Sequence, residues 1–196
     1  MKYVLASASP RRQELLTQAG FSFDVIPSAV KEKITKDIPS DVVMELAHQK
    51  ALDVYESKIK DNPAYQGEDC IVIGADTIVS YRGEILGKPA DTEEAREMIY
   101  KLQGKSHMVY TGVTVIAKSG DMVSASSFAE GTKVNVAPMT ENEIEAYIST
   151  DEPYDKAGAY GIQGLFGKFI EGIKGDYFNV VGLPVHRLYE ELKKFD

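Results

Sequence analysis

The run Cys70-Ile71-Val72-Ile73-Gly74-Ala75-Asp76-Thr77-Ile78-Val79 constrains this chain more than any other segment. It is almost wholly apolar and rich in β-branched residues. That predicts a strand over 70–80, with Arg82-Gly83 as a hairpin turn into Glu84-Ile85-Leu86. One carboxylate, Asp76, stands inside it. Aspartate is disfavoured in strands, and a buried carboxylate is costly without partners. An Asp that caps a neighbouring loop is one explanation. A ligand is the other, because Gly74 and Ala75 just before it leave room for close approach.

Strand-like and helix-like segments alternate along the rest of the chain. Strands are predicted at 4–6 and 23–26, and helices at 10–19, closed by Gly20, and at about 40–58. A helix over 92–102 opens on Asp91 and Glu94 in capping-box spacing. Strands over 107–117 and 123–136 meet at Ser119-Gly120. Thr140 and Glu143 form a second capping box before a helix to about 149. A glycine-rich stretch, 155–167, and strand-like residues lead to a C-terminal helix over 184–195. The class is α/β or mixed α+β with a mixed sheet. No repeat, low-complexity tract or linker divides the chain, so one domain over 1–196 is expected, or two small lobes sharing a sheet.

Several functional classes are disfavoured. The net charge is −8, whereas a broad nucleic-acid surface is usually basic. A small anionic ligand remains compatible if the cations are concentrated in one place. No apolar run approaches the roughly 20 residues of a membrane span, and Pro10-Arg11-Arg12 interrupts the one candidate leader region. The single cysteine, Cys70, excludes a disulfide framework and is expected as a buried, inert thiol in the reducing cytoplasm. His48, His107 and His186 are scattered without metal-ligand spacing. Neither a G-x-x-x-x-G-K-[ST] loop nor a G-x-G-x-x-G after a strand is present. The hard-metal candidates are therefore Glu32, Asp76 and Asp155, and oxygen-only ligation suits Mg²⁺ or Mn²⁺.

Four further segments carry polar residues where packing alone would not choose them. Ser7-Ala8-Ser9-Pro10-Arg11-Arg12 sets two hydroxyls and two guanidinium groups at a helix start, the chemistry a phosphate needs. The plainer alternative makes Ser9 an N-cap and the arginines a solvated face. Lys50 falls in the middle of an apolar arc of Val42, Val43, Leu46, Ala47, Ala51 and Val54, so it snorkels, pairs with a carboxylate or meets a ligand. With a two-residue hairpin loop, Lys88 lies opposite Thr77, one step from Asp76. Finally, Asp155 to Gly164 brings glycines at 158, 161 and 164 beside Gln163, whose amide suits a base edge. A flexible hairpin is the simpler reading of the glycines.

Taken in order, Ser7-x-Ser9-Pro10-Arg11-Arg12, Glu32, Ala47-His48-Gln49-Lys50-Ala51, Gly74-Ala75-Asp76-Thr77, Gly87-Lys88-Pro89 and Asp155-Lys156-Ala157-Gly158-Ala159-Tyr160-Gly161-Ile162-Gln163-Gly164 resemble the Maf family of nucleoside triphosphate pyrophosphatases. Gly175-Asp176-Tyr177 and Val181-Gly182-Leu183-Pro184 also look like that family. The resemblance implies an inosine triphosphatase-like fold, an extended mixed sheet with a cleft between two lobes. It implies hydrolysis of a nucleoside triphosphate to the monophosphate and pyrophosphate with a divalent cation, Mg²⁺ or Mn²⁺. Asp76 takes the place of the family's proton acceptor. Arg11, Thr77 and Gln163 match the positions of the branch acting on dTTP and UTP.

On that reading Arg12, Lys50 and Lys88 face phosphate oxygens, with Ser7, Ser9 and the backbone up to Arg12 assisting and Lys156 among the substrate-binding residues. Asp76 with Glu32 holds the metal or orients the water. The resemblance also suggests a homodimer, though no apolar stripe demands one. Three other readings are a 7-methyl-GTP pyrophosphatase, against which Thr77 and Gln163 argue, a nucleotide-binding regulator of cell division, and a phosphatase acting at the γ position.

Overall fold

A computed structural model describes residues 1–195. One seven-stranded mixed sheet runs in the order β2-β1-β3-β5-β6-β7, with β4 paired to β3. The strands are β1 (Lys2–Leu5), β2 (Phe23–Val25), β3 (Cys70–Tyr81), β4 (Glu84–Leu86), β5 (Ser106–Ser119), β6 (Met122–Val136) and β7 (Ile170–Lys174). The helices are α1 (Pro10–Gln18), α2 (Pro39–Val54), α3 (Thr92–Leu102), α4 (Glu141–Ile148), α5 (Tyr177–Val181) and α6 (Val185–Leu192). No helix among the described residues is long and apolar enough to cross a membrane. The chain divides into two compact units, the first of Met1–Asp76, Thr111–Glu130 and the residues from Gly182 on, the second of Thr77–Tyr110 and Gly131–Val181.

In the first unit β1 pairs in parallel with both β2 and β3, Leu5 lying opposite Val25 on one side and Ile73 on the other. Parallel neighbours need a crossover, and α1 supplies it between β1 and β2. Helix α2 runs into a π-helical turn, Tyr55–Ile59, where Lys60 N–H donates to the Tyr55 carbonyl at 2.9 Å. Val4, Ala6, Ala51, Val54, Tyr55, Ile59, Cys70, Val72 and Ile116 make the core here. Cys70 is buried, and burial pushes its thiol up to about 11, the inert state expected of it.

Two glycines set how closely α2 lies on the sheet. A Cβ on Gly74 of β3 would overlap the Ala47 carbonyl oxygen and sit 2.8 Å from the Ala51 nitrogen. One on Gly112 of β5 would overlap the Val43 carbonyl. Helix backbone therefore lies directly against strand backbone.

The second unit has its own core: Val79 and Leu86 from the hairpin, Ala95, Met98, Ile99 and Leu102 from α3, Ile144, Tyr147 and Ile148 from α4, and Tyr160, Phe166 and Phe169 from the loop that follows. Helix α3 opens as its spacing predicts, with Glu94 N–H donating to the Asp91 carboxylate. The Thr140–Glu143 capping box before α4 is complete. Arg82 and Gly83 both have positive φ, as a type I′ turn requires, and Tyr81 pairs with Glu84.

Gly20 closes α1 as expected: it follows the C-cap Ala19 with φ +83°, and Gly20 N–H and Phe21 N–H donate to the Thr17 and Leu16 carbonyls. Two expectations are corrected. Ser9 stands at the N-cap position of α1, but its side chain accepts no capping bond, and its own N–H donates to the Ser7 hydroxyl at 3.3 Å. Residues 177–181 form helix α5, where the sequence reads as strand. Tyr-Phe-Asn-Val-Val is β-prone by composition, but Asn179 is fully buried and donates to the Val109 carbonyl and the Thr132 hydroxyl. Tertiary bonding overrides local preference there.

Because backbone atoms block a Cβ at Gly74, no rotamer change relieves the clash. Gly74→Ala is expected to destabilise the fold by about 3 kcal/mol, the upper end for overpacking. Urea unfolding measures it, and a loss below about 0.5 kcal/mol would show that α2 shifts freely.

Candidate active site

The first unit gathers most of the polar residues singled out above. Asp76 is two residues beyond Gly74 and so on the same face of β3, toward α2. Lys50 reaches it from α2, and its ammonium lies 2.6 Å from Asp76 Oδ1 and 3.0 Å from Glu32 Oε1. Of the three fates open to Lys50, pairing is the one observed. Its side chain is 18% exposed and that of Asp76 14%, so the stem is buried in the apolar arc and only the ammonium is solvated by carboxylates. Two of the three ammonium donors are thus engaged, leaving one for a further acceptor.

Arg12 belongs to the same cluster. Its Nε donates to the Gly182 carbonyl at 2.8 Å and its Nη1 to the Ser7 hydroxyl at 3.0 Å. Burial draws the guanidinium below its ordinary value, and Arg11 does so too, while the charges of Asp76 and Glu32 oppose them. The Ser7 hydroxyl, nearly buried, thereby ties the start of α1 to Arg12. Two cations and two carboxylates concentrate here, with Arg11 on the same helical turn.

Glu32 sits on an exposed, irregular segment, yet it is placed precisely enough to meet Lys50. The cause is a stripe on α2 at i, i+4 and i+8, namely Glu45, Gln49 and Asp53. The Glu45 carboxylate accepts from the Thr35 hydroxyl at 2.5 Å and the Thr35 N–H at 2.9 Å, which hold it below its ordinary value. Gln49 accepts from the Lys33 N–H at 2.9 Å and donates to the Lys33 carbonyl at 2.6 Å. Asp53 accepts from the Ser28 hydroxyl and the Ala29 N–H. The helix thus supplies the bonds a neighbouring strand would otherwise give, and pins 28–35 as a strap with Glu32 over Lys50. In the sequence this polar i, i+4, i+8 series is indistinguishable from an ordinary solvated face.

The second unit holds the others. Thr77 follows Asp76 directly in β3 and is partly buried. The hairpin register extends as expected, but the ladder stops at Val79 opposite Leu86. Lys88 is therefore beyond the paired strand and has no cross-strand partner. It is exposed, without an ion pair among the described residues. The carbonyl of Gly87 accepts from Gly158 N–H at 2.9 Å, which joins the hairpin exit to the glycine-rich loop. In that loop the Lys156 ammonium donates to the Glu152 carbonyl and the Asp155 carboxylate, and Gln163 is exposed. Asp155 is thus engaged by Lys156. Among the described residues no group of three or more His, Cys, Asp or Glu could hold a metal ion.

The sequence profile of Maf-like proteins matches residues 2–195. The chain belongs to the Maf-like family. A relative from Agathobacter rectalis is 52% identical over 97% of this chain and 96% of its own length. One from Bacillus cereus is 50% identical over 100% of this chain and 96% of its own, and one from Bacillus anthracis matches equally well. All three are named dTTP/UTP pyrophosphatase. The mixed α/β architecture is the one the Maf resemblance implied.

Gln49→Ala removes both bonds to the Lys33 backbone. At about 1 kcal/mol per net hydrogen bond, amide exchange across 28–35 is expected to accelerate about tenfold or more. Unchanged exchange there would show that the strap is held by something other than the α2 stripe.

Proposed function

We propose that this Maf-like protein hydrolyses dTTP and UTP to the monophosphate and pyrophosphate. The observation that carries the proposal is the Lys50 ammonium between Asp76 and Glu32, with Arg12 and Ser7 in the same cluster. The names of relatives at 50–52% identity supply the substrate class.

Hydrolysis at the α-phosphate forms a bond from water oxygen to phosphorus and breaks the bond to the bridging oxygen, which departs with pyrophosphate. Asp76 takes the proton of the attacking water, and Lys50 fixes the direction of its carboxylate. Arg12 and Lys50 balance the charge that collects on the leaving group, and the family resemblance assigns Lys88 to phosphate oxygens as well. Ser7 orients Arg12. Thr77, Gln163 and Arg11 select the pyrimidine. Gln163 presents a donor and an acceptor on one amide, which matches the carbonyl and N–H edge shared by uracil and thymine. A cytosine edge reverses part of that pattern and leaves polar groups unpaired.

Asp76 and Glu32 converge on one point, now taken by an ammonium, so the pair also fits a hard divalent cation. Mg²⁺ typically uses one or two carboxylates and leaves its other positions to water and phosphate. Bound by these two residues, the ion would polarise a phosphoryl oxygen and offset charge on the triphosphate.

One assay tests the function. The protein is incubated with Mg²⁺ and each of dTTP, UTP, CTP, dCTP and GTP, and pyrophosphate and orthophosphate are measured separately. Pyrophosphate is expected, with kcat/KM for dTTP and UTP at least about tenfold above CTP. Orthophosphate would replace the proposal with γ-phosphatase chemistry. Turnover of none would favour a nucleotide-binding regulator.

Asp76→Asn keeps an acceptor for Lys50 but loses the base. Its kcat is expected to fall about 10²–10⁴-fold with the unfolding midpoint little changed. A well-folded Asn variant of near-native activity would remove Asp76 from the mechanism.

A further inference from the structure

The Gly161–Gly164 segment is a turn closed by Gly164 N–H donating to the Gly161 carbonyl at 3.3 Å, with Ile162 and Gln163 at its centre. Immediately after it, 165–169 begins a short 3₁₀ helix. One carboxylate underlies all of this. Glu152 Oε2 accepts from Leu165 N–H at 2.7 Å, and Oε1 accepts from Phe166 N–H at 3.3 Å and from the Tyr147 hydroxyl at 3.1 Å.

The turn rests on that side chain as well. A Cβ on Gly164 would overlap the Glu152 carboxylate, and one on Gly161 would lie 4.0 Å from it. The turn's other flank is fixed by Tyr160, buried, whose hydroxyl meets His107 Nε2 at 2.6 Å. Phe166, fully buried, packs on both Tyr147 and Tyr160. Gln163 is therefore the exposed tip of a turn whose base is clamped on both sides, and the clamp nearest to it is a carboxylate accepting backbone N–H groups.

We infer that Glu152 is a specificity-positioning residue: its carboxylate sets the height and direction of the Gly161–Gly164 turn and so the placement of the Gln163 amide. Glu152 touches no substrate. Its work is to satisfy two successive backbone N–H groups at the start of 165–169, a demand that only an acceptor at both oxygens meets. A carboxylate serves for the further reason that charge-assisted bonds are about twice as strong as neutral ones. The inference rests on the proposed role of Gln163 in selecting dTTP and UTP.

Glu152→Gln keeps the shape but turns one acceptor into an NH₂ facing a backbone N–H. The dTTP:CTP ratio of kcat/KM is expected to fall at least about tenfold. The loss should lie mainly in KM for dTTP, with kcat within about threefold and pyrophosphate still the product. Gly164→Ala is the second variant. Gly164 has negative φ, −103°, outside the left-handed region, and the three atoms nearest its added Cβ all belong to the Glu152 carboxylate. The same fall in ratio is expected without altering Glu152 itself. In a Gln163→Ala background, Glu152→Gln should lower the ratio no further, because residues acting as one unit are non-additive.

Retention of the native ratio in folded Glu152→Gln and Gly164→Ala would overturn the inference, as would an equal loss of dTTP and CTP turnover, the mark of a purely structural role. If Gln163→Ala itself leaves the ratio intact, the reading of Gln163 fails first and the inference falls with it. If Gln163→Ala abolishes the preference and the Glu152 and Gly164 variants do not, only the inference is lost.

Discussion

The contact of helix α2 with the sheet at Gly74 is the constraint on which the candidate site depends. Without a Cβ at Gly74 and Gly112, backbone meets backbone, and a lysine side chain on α2 spans the remaining distance to Asp76. A helix held farther out by ordinary side chains would leave Asp76 in a wall of apolar residues with no cation in reach. The arrangement is costly. Mostly buried ion pairs lose in desolvation much of what they gain by Coulomb attraction, and well-packed apolar residues of similar volume often serve stability as well or better. A lysine, an arginine and two carboxylates gathered where valine and leucine would pack is thus poorly explained by stability. It is well explained by a ligand whose charges enter the cluster.

That economy reconciles a net charge of −8 with a polyanionic substrate. Charges on the exposed surface are screened over about 8–10 Å at ordinary ionic strength, so the overall balance matters less than the few charges at short range. Asp76 and Glu32 hold Lys50 in place before any phosphate arrives, and each bond they make is one that a phosphate oxygen or a divalent cation can take over. The strap carrying Glu32 is bonded to α2 through exposed side chains of modest worth. This carboxylate is accordingly the member of the cluster most easily moved.

The residues that were legible in the sequence share one property: each is a polar group in a place periodicity reserves for an apolar one. Asp76 inside β3 and Lys50 inside the apolar arc of α2 could be singled out without any structure, and they prove to be each other's partner. Helix starts with explicit side-chain chemistry, Asp91 and Thr140, were equally plain. What could not be read was polarity in a place where polarity is normal. Glu45, Gln49 and Asp53 look like any solvated helix face, and only the path of 28–35 shows that they bond a backbone. Glu152 likewise sits among Asp151, Pro153 and Asp155 in a segment of unremarkable composition. Lys88 illustrates the opposite error. The two-residue turn sets the register correctly, but register does not say where the ladder ends, and β4 ends at Leu86.

Glycine spacing makes the same point for the loop. Glycines at 158, 161, 164 and 167 invite comparison with loops in which bare backbone cradles a phosphate. The space beside them argues otherwise. The room left at Gly164 is filled by the Glu152 carboxylate and that at Gly161 by the stem of Lys156, while a Cβ on Gly167 would lie 2.8 Å from the Ile162 carbonyl oxygen. An anionic side chain already pressed against the turn makes a poor neighbour for a phosphate and a good support for an uncharged reader of a base. Gly164 is small here so that the chain can fold onto its own carboxylate, and the other glycines make room for Val79, the Lys156 stem and the Ile162 carbonyl. The residue they serve is Gln163, whose amide is raised into the open by a turn with no side chains at either end.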